Sequence, residues 1–209
     1  MKSLAILISS LLFTASTYAS ELNGQDILKT TQVALTQASI EVGADSIIAW
    51  NAELEGHEVV VSVLNEHDIN ITYGCHYHGP VPACHEESYT QGDDHKHKDA
   101  EITLDYIKNA NQAALAKFEK TLSRKGNDLS IVEAVKVWLS IEDDHDHDHG
   151  HHHLAKAEDD HDHGADVWTK INYNITGKTQ TIYVLCHTHG HEADFSCHYR
   201  LSGENEPSL

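Results

Sequence analysis

Two short stretches carry the residues best suited to chemistry: "CHYHG" at 75–79 and "CHTHG" at 186–190. Each is followed by a further Cys-His pair, Cys84-His85 after the first and Cys197-His198 after the second. Imidazole nitrogen and thiolate sulfur both bind zinc, and two thiols can instead close a disulfide. The choice between these chemistries depends on the compartment and on which way each side chain points.

The N-terminus addresses the compartment. "MKSLAILISSLLFTASTYAS" has Lys2, an apolar stretch from Leu4 to Phe13, and then small residues. That stretch is too short to span a bilayer and fits the core of a secretory signal peptide over residues 1–19, cut after Ala19. The mature chain is expected to be exported, periplasmic or secreted, with no membrane insertion after cleavage. An even cysteine count in such a protein favours disulfides, and spacing favours Cys75 with Cys84 and Cys186 with Cys197. The alternative is a Cys2His2 zinc site from Cys75, His78, Cys84 and His85, which a reducing compartment would favour.

The elements that must position these residues recur along the chain. "GQDILKTTQVALTQA" puts Ile27, Leu28, Val33, Ala34, Leu35 and Ala38 at helical spacing. Strand-like runs follow in "SIIAWNAEL", "HEVVVSVLN", "INITYGCHYH" and "ACHEESY". A second helix, "LDYIKNANQAALAKFEKTLSRKG", places Ile107, Ala110, Ala114, Leu115, Phe118 and Leu122 on one side and stops at Gly126. Strand-like runs "AVKVWLSIE", "VWTKINYNI", "TIYVLCHTHG" and "DFSCHYRL" come after it. The recurrence of the Cys-His pattern in matching context reads as an internal repeat. The expected fold is therefore α+β: two tandem repeats, each a helix packed on an antiparallel sheet of three to four strands. The first repeat spans residues 21–92, a His/Asp-containing linker 93–99, and the second repeat 100–205. In element order this layout resembles cystatin-like or PepSY-like architectures, a likeness that implies nothing about function.

Strand alternation then assigns faces. In "INITYGCHYH", Ile69, Ile71, Tyr73 and Cys75 share the apolar face that should meet the helix, while His76 and His78 point the other way. In "DFSCHYRL", Cys197 goes inward with Phe195 and Tyr199, and His198 outward. Cys186 similarly separates from His187 and His189. Each half is thus expected to carry a disulfide on its buried face and three histidines on its open face: His76, His78 and His85, then His187, His189 and His198. Two imidazoles of a His-x-His pair stand about 6–7 Å apart at the backbone, and a third from the next strand can complete three corners of a tetrahedron. His191 with Glu192, or His67, are candidates for a fourth ligand.

A third feature is compositional. Residues 143–164, "DDHDHDHGHHHLAKAEDDHDHG", hold His145, His147, His149, His151, His152, His153, His161 and His163. The run has no apolar periodicity and falls between two strand-like segments, so it is expected to be an inserted, disordered loop binding several ions weakly. It resembles the His-rich loops of periplasmic zinc-binding proteins that feed ABC importers, which implies a capture arm for metal. A shorter echo carries His95 and His97.

Charge supports the same direction. With 14 Lys and Arg against 33 Asp and Glu, the net charge is −19, which disfavours nucleic acid and attracts cations. The 19 histidines are mostly neutral and available as ligands at neutral pH. Zinc is the first choice of ion, ahead of copper(II) and of nickel or cobalt, and the single methionine, Met1, excludes a Met-rich copper(I) site. Cys-x-x-Cys, Cys-x-x-Cys-His and His-Glu-x-x-His motifs are all absent. The expected function is capture, buffering or delivery of zinc in metal homeostasis, with a membrane metal transporter as the expected partner and no enzymatic activity. The alternatives are a protein-binding module, such as a cystatin-like inhibitor or transporter accessory with metal as regulator, and a zinc-dependent hydrolase drawing a base from Glu86, Glu87 or Glu192.

Overall fold

The computed structural model describes residues 22–92, 102–140, 165–189 and 194–209. The expected leader, the linker at 93–99, the loop at 143–164, His191 and Glu192 lie outside these residues.

Two helices form where the sequence places them. Helix α1 (Gly24–Ala38) is capped by Asn23, whose side chain accepts from backbone N–H groups of the first turn while Asp26 reaches back to the Asn23 N–H. It buries Ile27, Ala34, Leu35 and Ala38. Thr30 and Thr31 are buried in the same stripe and donate their hydroxyls to carbonyls of the preceding turn, which removes the cost of burying them. Helix α2 (Leu104–Ser123) starts at the Thr103 cap and buries the whole expected stripe, Ile107, Ala110, Ala114, Leu115, Phe118 and Leu122.

The strands are β1 (Ile47–Glu55), β2 (Glu58–Asn65), β3 (Ile69–His78), β4 (Val81–Gln91), β5 (Val132–Leu139), β6 (Val167–Ile175), β7 (Lys178–His187) and β8 (Ser196–Arg200). They do not form two separate helix-on-sheet repeats. All eight belong to one antiparallel sheet in the order β4-β3-β2-β1-β5-β6-β7-β8. The joint is the pairing of β1 with β5, where Ala49 faces Trp138 and Ala52 faces Val135. The physical reason lies in those two strands. Ile47 to Trp50 are buried at every position, as are Val137 to Leu139. Side chains buried on both faces mark strands from the middle of a sheet rather than its edge. Pairing them also removes two unpaired backbone edges that separate sheets would expose.

Both helices lie on one face, α1 mainly over β2, β4 and β5 and α2 mainly over β6 and β7. The main core between helices and sheet includes Trp50, Val61, Ile71, Tyr73, Phe118, Val137 and Ile171. The opposite face is not bare. A second, smaller core of Ile48, Ala49, Leu64, Trp138, Trp168 and Leu185 sits there, with Leu209 from the C-terminus packed against it.

Candidate metal centre

The site is built on hairpin β3–β4. Cys75 and Cys84 are directly opposed across the two strands and joined by a disulfide. Both are buried on the helix face. Gln37 of α1 donates from Nε2 to the Cys84 carbonyl at 3.2 Å, fixing β4 beneath the helix. Alternation then sends the neighbours His76, His78 and His85 to the far face, as the sequence pattern anticipates. The thiols are consumed by the disulfide, so the Cys2His2 alternative is not formed.

His76, His78 and His85 offer donor nitrogens that all lie within 4.8 Å of one another, and they are the one such group of three among the described residues. His76 is half-buried and the other two are exposed. The ring centroids of His76 and His78 are 4.6 Å apart, and those of His76 and His85 are 5.2 Å apart. The Nε2 atoms of His76 and His78 approach to 2.9 Å. Two imidazoles sharing a tetrahedral zinc at about 2.0–2.1 Å place their centroids about 5 Å apart and their donor nitrogens about 3.3 Å apart. The rings therefore already stand close to the spacing that coordination demands. A metal ion can be held here with small side-chain movements.

Carboxylates surround this set. A side-chain carbon at Gly74, the cross-strand partner of His85, would lie 2.4 Å from Glu87 Oε1 and 3.1 Å from Glu58 Oε2. Both carboxylates thus fold over the space that Gly74 leaves free on this face. They add negative field beside the imidazoles, which favours a cation. The alternate residues of β3 stay out of the chemistry. Burial, then the nearby Asp26 carboxylate, pushes the Tyr77 phenol up to about 12. Tyr73 is raised further, by burial first and by Glu41 second. Both remain protonated.

The second set stands on hairpin β7–β8. Cys186 and Cys197 are opposed and joined by a disulfide, and Lys117 of α2 donates to the Cys197 carbonyl at 2.6 Å. On the other face the His187 and His189 rings have centroids 4.7 Å apart, and those of His187 and His198 are 5.6 Å apart. His187 is 14% exposed, and its Nδ1 lies 3.1 Å from Asp166 Oδ1. His198 Nε2 lies 3.0 Å from the Ser196 hydroxyl. Burial, and then His187, Arg200 and Lys117, hold the His198 imidazole below its ordinary pKa.

His67 is not available as a fourth ligand. It lies in the turn before β3, at the opposite end of that strand from His76 and about 20 Å from it at strand rise. The eight loop histidines and His191 lie outside the described residues. Sequence reasoning missed Asp166, Glu58 and the folding of Glu87 over Gly74. Strand register could have revealed the first two. Val59 opposes Cys75 and Val167 opposes Cys186, so Glu58 and Asp166 occupy the same place relative to His76 and His187. Comparison of the chain with protein-family models, with curated proteins and with solved structures finds no match in any of the three.

Proposed function

We propose that the chain is an exported zinc-binding protein that captures, buffers or hands on the ion as cargo. The observation that carries this reading is the convergence of His76, His78 and His85 on one open sheet face, with donors within 4.8 Å. The two disulfides support an oxidising compartment, and with it the reading of residues 1–19 as a leader. Among the described residues no helix is long and apolar enough to cross a membrane. Two of the three ligands are exposed. An ion held there is open to exchange, which suits transfer to a membrane transporter better than sequestration or catalysis. The His-rich segment 143–164 adds weak sites that raise the local ion concentration. Zinc is preferred to copper(II) or nickel because three imidazoles and an open fourth position suit a tetrahedral ion. The recurring Cys-His pattern supports an origin by internal duplication.

The test is a zinc titration of the mature chain with and without residues 143–164, and of each form carrying His76→Ala, His78→Ala and His85→Ala together. Several weak sites should disappear with the segment. At least one site of micromolar affinity or better should survive its removal and weaken at least tenfold in the triple variant. If the triple variant binds as tightly as the parent, the assignment of the folded site is wrong.

A further inference from the structure

We propose that the cleft over Ala134, on the sheet face opposite the helices, is a binding site for a small zwitterion, an α-amino acid by chemical class. The cleft stands on β1, β5 and β6, apart from the hairpin that carries His76, His78 and His85, and it needs no metal.

Strand register builds the cleft from two adjacent rows of side chains. Asn51, Lys136 and Lys170 are successive partners across the three strands, and Glu53, Ala134 and Asn172 form the next row along. Ala134 is the one small residue of the six and is buried. Its short side chain leaves a hollow of about 190 Å3, which Glu206 from the C-terminal segment also lines.

One wall is cationic. Like charges directly opposed across a sheet repel, so Lys136 and Lys170 need an anion between them. Glu206 supplies one, with Oε1 2.9 Å from Lys170 Nζ and 3.2 Å from Lys136 Nζ. Lys136 also donates to the Pro207 carbonyl. Each ammonium has three donors, so the pair retains capacity for a further carboxylate. Lys136 is only 14% exposed, which keeps its ammonium from swinging into water.

The other wall is anionic. Asn51 donates from Nδ2 to Glu53 Oε1 at 3.3 Å and holds that carboxylate beside the hollow. Asn172 accepts from the Thr181 hydroxyl through Oδ1 at 2.8 Å, so the atom it can turn toward the hollow is Nδ2, a donor.

Charge then selects the ligand class. Two lysines and two glutamates make the lining neutral, although the whole chain carries −19. A simple anion drawn to the lysines meets Glu53 and Glu206. A simple cation drawn to the glutamates meets both ammonium groups. A molecule with a carboxylate next to an ammonium satisfies both walls, its carboxylate on Lys136, Lys170 and Asn172 and its ammonium on Glu53. Each ligand charge then keeps a partner as it leaves water.

The experiment titrates L-alanine into the full mature chain with a chelator present, so that no bound metal recruits the amino acid. Binding is read by calorimetry and by the side-chain amide NMR signals of Asn51 and Asn172. A Kd of about 1 mM or lower is expected, with both amide signals shifting along one isotherm. N-acetyl-L-alanine lacks the ammonium and L-alaninamide lacks the carboxylate, and each should bind about tenfold more weakly or worse. Ala134→Leu fills the floor and should abolish binding. Glu53→Gln keeps the shape of the wall and should weaken binding about tenfold, with a thermal midpoint close to the parent's; it decides the matter alone if the leucine variant fails to fold. Absence of heat and of amide shifts overturns the site. Binding that Glu53→Gln leaves unchanged, or that a folded Ala134→Leu protein retains, overturns it too. Equal affinity for the acetylated or the amidated compound overturns the zwitterion assignment. None of these outcomes bears on zinc binding at His76, His78 and His85.

Discussion

Cys75 and His76 are adjacent on β3 and project through opposite faces of the sheet, the sulfur fully buried and the imidazole half-exposed. The disulfide therefore supports the site without taking part in it. It ties β3 to β4 directly beneath the place where His85 must meet His76. The bridges span 9 and 11 residues. Loop-closure entropy for rings of that size gives about 2.7 kcal/mol each at 25 °C. Replacing Cys75 and Cys84 together by alanine should cost about that much in denaturant unfolding. It should also weaken zinc binding at His76, His78 and His85 although no ligand is removed. Equal zinc affinity in the parent and the double variant would show that hairpin geometry survives without the bridge.

Trp138 donates its indole N–H to the Glu204 carbonyl at 2.8 Å, and this bond holds the C-terminal segment across the face opposite the helices. Gly203 lies against the Trp138 ring, and Lys136 donates to the Pro207 carbonyl. Beneath the segment, Trp138 and Trp168 stack with centroids 6.1 Å apart. Removing residues 203–209 should expose both indoles to water. The loss of the hydrogen bonds from Trp138, Lys136 and Lys170, and of the apolar cover, should cost about 2 kcal/mol or more. Tryptophan emission should shift to the red and the thermal midpoint should fall. An unchanged spectrum and midpoint would mean the segment is not a structural strap.

The strap should also loosen in acid. Burial works against ionisation of Glu206, but the hydrogen bonds from Lys170 and Lys136 outweigh it and hold the carboxyl below the ordinary range. A carboxyl depressed in the folded state contributes stability above its unfolded pKa of about 4.3 and loses it as pH falls through the folded value. The contribution is modest, because Glu206 remains 29% exposed. Stability should therefore decline on acidification below about pH 4.3, and Glu206→Gln should flatten that part of the curve. Identical pH profiles for parent and variant would remove Glu206 from the account.

The elements and the faces of the site were legible in the sequence, whereas the assembly was not. Period-two alternation in "INITYGCHYH" places Cys75 inward and His76 and His78 outward, and both disulfides follow from spacing. Helical periodicity finds six core residues of α2 and misses Leu104 in its first turn and the buried Asn111. Alternation within a strand does not say which strand lies beside it. The β1–β5 joint is signalled only by the continuous burial of Ile47–Trp50 and Val137–Leu139, which a reading of each half as self-contained passes over. The C-terminal strap was hidden for a different reason. Residues 201–209 lack periodicity, and their grip on the sheet comes largely from backbone carbonyls, which leave no mark in side-chain pattern. Asp166 borders the acidic His-rich run, where nothing in composition separates it from its neighbours. Only the pairing of β6 with β7 singles it out.

Gly24 opens α1 where the helix passes closest to the chain entering β5. A side-chain carbon there would lie 2.0 Å from the Leu129 carbonyl oxygen and 2.8 Å from Val132 Cβ. The clash involves backbone, so it cannot be relieved by turning a flexible side chain. Alanine would ordinarily favour a helix over glycine by about 1 kcal/mol. Here the displacement of α1 from β5 should dominate, as overpacking of a tight contact does, with a net loss of about 1–3 kcal/mol. Moving α1 also moves Gln37, which holds the Cys84 carbonyl. Gly24→Ala should therefore lower the unfolding midpoint and weaken zinc binding at His76, His78 and His85. A stabilised Gly24→Ala protein would show that the helix start shifts freely and that the close approach does not constrain the fold.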